Sequence, residues 1–384
     1  RITYLDSAVS SQMPVQAIER MRRYMSLEHT NVHRGVSRLS QEATDQYEVA
    51  RERVRALINA HSSKQVIWTR GATESINLVA QSWGRMNIEQ GDEILLSAME
   101  HHSNIVPWQL LAEEKRAVIR VIPMNDEGEL SLDALDKLIT DRTKLIGVTH
   151  VSNVLGTVNP LKEIIETAHS KGVPVLVDGA QSVPHMKVDV QNLDADFFVF
   201  SGHKMCGPTG IGVLYAKREL LDAMPPWQGG GSMILSVEWE KTQFMPPPAK
   251  FEAGTPNITA AIGLGASIDY LNSIGMDEIA AWEHHLLETA TEKLMGIQGL
   301  RIIGSARDKA SVLSFVLKDI HPHDVGSILD LEGVVVRAGH HCAQPVMKRF
   351  SVPATTRASF AFYNNEDDIE ALVSAIHKVK EIFL

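Results

Sequence analysis

The chain has 384 residues, 44% of them hydrophobic, and its 37 Lys and Arg stand against 47 Asp and Glu, a formal net charge of −10. That length buries a sizeable core and predicts two domains. The acidic balance argues against wrapping nucleic acid or lying on anionic lipid. No apolar run approaches the roughly 18 residues that span a membrane. The start, Arg1 rather than Met, carries no signal-peptide pattern. Two distant cysteines, Cys206 and Cys342, argue against a disulfide framework, fit a reducing cytoplasm and leave room for one reactive thiol.

From about residue 60 to 216 short apolar, β-branched runs alternate with amphipathic stretches. Strands are expected at Val66–Thr69, Glu93–Ser97, Val118–Met124, Leu145–His150, Val173–Val177, Phe197–Phe200 and Gly212–Tyr215. Helices are expected at Ser103–Lys115, Leu132–Thr140 and Leu161–Lys171, the last opened by Pro160. This alternation predicts an α/β fold with a mostly parallel sheet. Pro225–Pro248, rich in Pro and Gly, reads as a long irregular excursion. A helical region follows over Thr259–Met295. Strand-like segments at Arg301–Ile303, Ser311–Val316 and Val334–Arg337 and a helix from Glu366 then outline a smaller α+β domain.

Several strand ends carry residues that solubility explains poorly. Ser201-Gly-His-Lys204 follows the apolar run Asp196–Phe200. A lone lysine is ordinarily a surface residue, but Asp178 ends a neighbouring strand. In a parallel sheet both would open onto one carboxyl edge, where ligands bind. A lysine for a Schiff base and an acid for a pyridine nitrogen are what pyridoxal phosphate requires. Gln181 would reach the ring hydroxyl. Gly71-Ala72-Thr73-Glu74 opens a helix after Val66–Thr69, a suitable phosphate cradle that Ser201 and His203 could complete. His101, in Met99-Glu-His-His102, could stack on a ring and move protons. Arg337-Ala-Gly-His-His-Cys342 sets a thiol beside two histidines and an arginine, a setting that favours thiolate. Zinc is the alternative reading of that loop, against which no second Cys/His pair stands at a suitable spacing. Arg357, inside an apolar strand-like run, needs an anionic partner, either a substrate carboxylate or an internal ion pair.

With these residues the chain resembles the cysteine desulfurases among fold-type I pyridoxal phosphate enzymes, most closely the branch serving the SUF iron–sulfur assembly system (SufS-type). The resemblance runs from Tyr4-Leu-Asp-Ser-Ala to the last helix. It includes Asn31-Val-His-Arg-Gly35, Arg70–Asn77, His101–Trp108, His150–Thr157, Asp178-Gly-Ala-Gln181, Ser201–Lys204, Phe251–Asn257 and Arg337–Cys342. It implies a large domain over 12–268 with a mostly parallel seven-stranded sheet. A smaller α+β domain would comprise 1–11 and 269–384 and carry the cysteine loop. It further implies that Lys204, Cys342 and His101 are catalytic. Lys204, Asp178, Gln181, His101, Thr73, Ala72, Ser201, His203 and Asn153 would hold the cofactor, and Thr255 would reach the neighbouring subunit of a homodimer. Arg357, Asn153, Arg337 and His33 would face the substrate, L-cysteine. Sulfur would leave Cys342 for an acceptor protein of the SUF system. The alternative on the same scaffold is a selenocysteine lyase or cysteine sulfinate desulfinase. The chain departs from the pattern at Ala72, where a second Thr is common, and at Cys206.

Overall fold

In a computed structural model, which describes residues 2–33 and 35–383, the predicted alternation forms one seven-stranded sheet. Arg34, part of the Asn31–Gly35 string, lies outside the described residues. The chain opens with a short strand, β1 (Thr3–Tyr4), and helices Val15–Arg23 and Arg38–Leu57. The strands of the sheet are β2 (Val66–Thr69), β3 (Glu93–Ser97), β4 (Val118–Ile122), β5 (Thr143–Thr149), β6 (Val175–Asp178), β7 (Phe197–Ser201) and β8 (Gly212–Ala216). Their order is β2-β8-β7-β6-β5-β3-β4. From β7 to β4 all neighbours are parallel, whereas β8 is inserted antiparallel to both β7 and β2. Strands β6, β7 and β8 are buried throughout, which is why they read as unbroken apolar runs rather than alternating ones. Two apolar clusters line the sheet, one including Val148, Val177 and Phe200 and the other Leu96, Leu176 and Phe197.

Strand β2 lies at the sheet edge, and side chains occupy its free backbone groups. Glu252 Oε1 accepts from Trp68 N–H at 2.8 Å, and Arg51 Nη1 donates to Val66 O at 2.9 Å. Arg51, 2% exposed, also forks onto Glu252 at 2.6 and 3.0 Å. A buried bidentate pair of this kind closes an edge that would otherwise invite another strand.

The excursion after Pro225 is not wholly irregular. It contains a hairpin, β9 (Ile234–Val237) with β10 (Thr242–Phe244), whose register shifts at Gln243/Phe244. The predicted helical region over Thr259–Met295 is two helices, Ile258–Ile274 and Met276–Met295. Gly275, at φ 103°, breaks it in a conformation that other residues rarely adopt. Beyond it, β11 (Leu300–Ile303), β12 (Val312–Leu317), β14 (Arg337–Gly339) and β15 (Thr355–Ser359) make an antiparallel sheet in the order β11-β12-β15-β14. The predicted strand Val334–Arg337 is divided. Its first part, β13 (Val334–Val335), pairs with β1 and not with the four-stranded sheet. A third apolar cluster, including Leu5, Phe315 and Ile376, joins the N-terminal residues to this sheet and to the last helix, Glu366–Phe383.

Backbone contact at the start of β8 is close. A Cβ on Gly212 would lie 2.4 Å from Gly71 Cα and 2.7 Å from Gly71 N. Gly212→Ala is therefore expected to push back the turn that opens helix Ala72–Val79, lowering unfolding free energy by about 1–3 kcal/mol. Urea unfolding measures this, and an unchanged midpoint contradicts it.

Candidate active site

The parallel strands deliver their carboxyl ends to one edge of the sheet, and a cleft of about 300 Å³ opens there. Asp178 ends β6, Ser201 ends β7 and His101 follows β3. The cleft is lined by Lys204, Asp178, Gln181, His101, Thr73, Ala72, Ser201, His203, Asn153, Arg337, Arg357 and Cys342. Of the residues singled out in the sequence, only Thr255 and His33 lie elsewhere. Thr255 borders a second cavity, lined also by Tyr47, Trp68 and Trp227. His33 is exposed, bonds Glu48 through Nε2 at 2.9 Å and packs edge-on against Tyr47. A single chain thus leaves both beside the second cavity.

Burial tunes the groups in the cleft. Lys204 is pulled down to about 8 by desolvation, with the Arg357 charge helping and Asp178 opposing, so a useful fraction of its amine is neutral near pH 8. Asp178, 4% exposed, is raised by burial, against the Ala180 N–H bond and the Lys204 charge. His101 is driven down to about 4 by burial, then by Lys204. Its Nδ1 accepts from Ser103 N–H at 3.1 Å, so the neutral ring carries its proton on Nε2.

Ser201 Oγ accepts from Ala72 N–H at 2.8 Å, joining the end of β7 to the first turn of the helix that follows β2. Gln181 Nε2 donates to Ala8 O at 2.7 Å, while its buried Oε1 has no partner among the described residues. An unmet buried acceptor in the cleft wall, a neutralisable lysine and a buried carboxylate suit a polar aromatic cofactor with a phosphate at the helix start.

The second half of the site comes from the four-stranded sheet. Arg337 and Arg357 are direct cross-strand partners on β14 and β15, an arrangement that like charges disfavour. Asp6 resolves it: Oδ2 accepts from Arg337 Nη2 at 2.8 Å and Oδ1 from Arg357 Nη2 at 3.3 Å. Arg357, 1% exposed, also donates from Nη1 to Asn153 O at 2.8 Å, and its Nε has no partner among the described residues. Of the two sequence readings of Arg357, the internal ion pair is the one seen, and it lies at the wall of the cleft.

Cys342 is exposed. One of its two neighbouring histidines does not share its setting. His341 is buried, bonds Thr355 Oγ1 through Nε2 at 2.8 Å and is pushed down to about 3 by burial, so it adds no charge beside the thiol. Cys206 is buried, and desolvation raises its thiol to about 11, which leaves it protonated and unreactive. Among the described residues no three His, Cys, Asp or Glu converge as a metal site.

Two acids at the site were not recognised in the sequence. Asp6 stands in a string that gave no hint of charge pairing 331 and 351 residues away. Glu100, between Met99 and His101, is wholly buried, accepting from Thr149 N–H and Asn104 Nδ2 at 2.7 Å each and contacting Ser97 Oγ. Its only signal was an acid beside an apolar strand.

This sheet, with lysine, aspartate and a helix start on its carboxyl edge, defines a fold-type I pyridoxal phosphate enzyme. The aminotransferase class-V family model matches residues 3–372, and the chain belongs to that family, whose cofactor is pyridoxal 5′-phosphate. A cysteine desulfurase of Synechococcus elongatus is 53% identical over 99% of this chain, and the chain spans 60% of that relative's length. A probable cysteine desulfurase of Halalkalibacterium halodurans is 51% identical over the whole chain and 94% of the relative. The crystal structure of the Escherichia coli cysteine desulfurase CsdA (S-sulfonic acid) superposes with a TM-score of 0.95 at 42% identity, covering 100% of this chain and 96% of the other.

Two outcomes follow from the buried acids. Asp6→Asn leaves Arg357 without its carboxylate and is expected to cost about 3 kcal/mol, the scale of breaking a buried pair. Chemical denaturation checks this, and a loss under 1 kcal/mol, the scale of an exposed pair, would reject it. Burial, reinforced by Asp178, holds Glu100 up at about 8 against its three hydrogen bonds. The folded protein thus keeps a proton that the unfolded chain releases near the ordinary 4.5. That contribution is full below the ordinary value and is lost as pH rises through the folded one. Glu100→Gln cannot ionise and is expected to flatten the fall in stability between about pH 5 and 8. Parallel stability–pH curves for the two proteins would contradict it.

Proposed function

We propose that this protein is a cysteine desulfurase that moves sulfur from L-cysteine onto Cys342 as a persulfide and yields L-alanine. The observation that carries the reading is the joining, in one cleft, of Lys204 and Asp178 with the exposed thiol of Cys342. The names of the relatives support it.

Bound pyridoxal phosphate supplies an electron sink for carbanion chemistry at the substrate Cα. Lys204 would carry it, Asp178 would face its ring nitrogen and Gln181 its ring oxygen, with His101 over the ring. Ala72, Thr73, Ser201 and His203 would hold its phosphate. Asn153 Nδ2 is engaged by His341 O at 2.7 Å, so it acts between cofactor and loop. Arg357 would orient the substrate carboxylate, with Arg337 beside it. Lys204 Nζ, neutral in part because burial lowers it, takes the Cα proton. Cys342 Sγ then forms an S–S bond with the substrate sulfur as the Cβ–S bond breaks. That electron pair stays on the substrate carbon, which is protonated to alanine.

Cys342 stands in a short turn, residues 340–343, between β14 and helix Gln344–Arg349. A short exposed turn suits an acceptor protein that reaches in, which favours a SUF-type acceptor. Thr255 in the second cavity, and His33 packed on Tyr47 of its wall, favour a homodimer in which each chain completes the other's site. In that cavity the buried indole N–H groups of Trp68 and Trp227 have no partner among the described residues. We assign 12–268 to a cofactor domain and 1–11 with 269–384 to a cysteine-loop domain, and a cytoplasmic location from the two free thiols. No described helix is long and apolar enough to cross a membrane.

With L-cysteine and a reductant, wild type is expected to release alanine and sulfide in equal amounts, and Lys204→Ala and Cys342→Ala to release neither. Full activity in Cys342→Ala would overturn the persulfide reading in favour of a lyase acting on selenocysteine or cysteine sulfinate.

A further inference from the structure

The turn that carries Cys342 is held in an unfavourable conformation. His341 and Cys342 lie at φ 51° and 54°, successive left-handed residues that are not glycine. Such backbone persists only where the surroundings impose it. Three contacts reach the turn from the large sheet's edge. Asn153 Nδ2 donates to His341 O at 2.7 Å. His102 N–H donates to Cys342 O, also at 2.7 Å. Gln344 N–H, the first of helix Gln344–Arg349, donates to His102 Nε2 at 3.1 Å. That helix has no side-chain cap from its own N-cap residue, Ala343, so the imidazole takes the place of one.

His102 therefore grips the cysteine from both sides, through its backbone at Cys342 and its ring at Gln344. We propose that His102 is a positioning residue for the sulfur-carrying turn: its neutral imidazole latches residues 340–343 to the cleft, and protonation of Nε2 releases them. A protonated Nε2 is a donor and can no longer accept the Gln344 N–H.

The titratable groups that bear on His102 are His101 beside it in the chain and His340 on the opposite turn. The His101 ring centroid lies 6.4 Å away. Burial first, then the neighbouring His340, lowers His102 below the ordinary 6.5, so the latched form is the neutral one. The released form protonates more readily. The latch is thus intact above the ordinary histidine value and weakens as pH falls through and below it. His101 takes a different part: its Nδ1 is tied to Ser103 and it lines the cleft, whereas His102 acts only through the turn.

The inference rests on Cys342 as the sulfur carrier for its use, but its test reads the latch without turnover. Hydrogen–deuterium exchange of the amides of residues 340–344, read by mass spectrometry on the cofactor-loaded enzyme, compares wild type with His102→Ala and His102→Gln. The Gln amide oxygen can replace Nε2 as acceptor and does not titrate. At about pH 8, His102→Ala is expected to exchange these amides about fivefold faster than wild type, the scale of one lost hydrogen bond, and His102→Gln at close to the wild-type rate. At about pH 6 the wild-type rate relative to His102→Gln is expected to rise about twofold or more, because intrinsic amide exchange changes alike in both. Cofactor absorbance is expected to be unchanged throughout. Equal rates for His102→Ala and wild type, equal rates for His102→Gln and His102→Ala, or a pH-independent ratio would overturn the latch. Loss of bound cofactor in His102→Ala would also overturn it, by placing His102 in the cofactor pocket. Failure of the desulfurase reading would leave these rates untouched.

Discussion

One carboxylate, Asp6, holds two guanidinium groups that the antiparallel sheet sets directly opposite each other. Without it, Arg337 and Arg357 would face across β14 and β15 with like charges, and Arg357 is almost fully buried. Asp6 reaches them because β1 pairs with β13 and Asp6 itself bridges to Ser359, the last residue of β15. The N-terminus is thereby tied to the last strand of the chain. Arg357 extends the link to Asn153, in the loop after β5 of the large sheet. The two halves of the cleft are held in register by a charge-assisted chain from residue 6 through 357 to 153. Such bonds are stronger than neutral ones and fix geometry as well as energy.

Within that frame, burial decides which groups are charged. Low effective dielectric penalises every ion in the cleft unless a partner offsets it. Lys204 is partly relieved by Asp178, and Arg357 by Asp6. His101, His341 and Glu100 lack such partners and sit neutral near pH 7, because burial is the largest cause of each shift. The site is thus a small set of retained charges among neutral hydrogen-bonding groups. Charge left where it is needed interacts more strongly there than it would in water.

The exposed thiol is placed by a different rule. Cys342 is exposed, on backbone that a free peptide would avoid, and contacts from Asn153 and His102 oppose that preference. In the proposed sulfur transfer this thiol meets both a buried substrate and an outside acceptor, which requires a turn that is held and yet near the surface. A short turn bracketed by side chains of another element meets both demands, where a long free loop would add ordering entropy to every turnover.

Period and punctuation in the sequence determined the large sheet. Fully buried parallel strands must be continuous apolar runs, and all seven of the expected strands are present with shifts of a few residues at their ends. The lysine, aspartate and helix start were legible because polar groups at the ends of such runs have no solubility role, and Arg357 because a charge inside an apolar run needs a partner. Only the tertiary structure decided which way β8 runs, how Val334–Arg337 divides between two sheets, and where Gly275 breaks the long helical region. It alone decided that His341 turns inward, that Glu252 closes the β2 edge and that Asp6 serves two arginines. These are pairings between residues far apart in the chain, and local periodicity carries no information about which distant group satisfies a buried charge or an open backbone N–H.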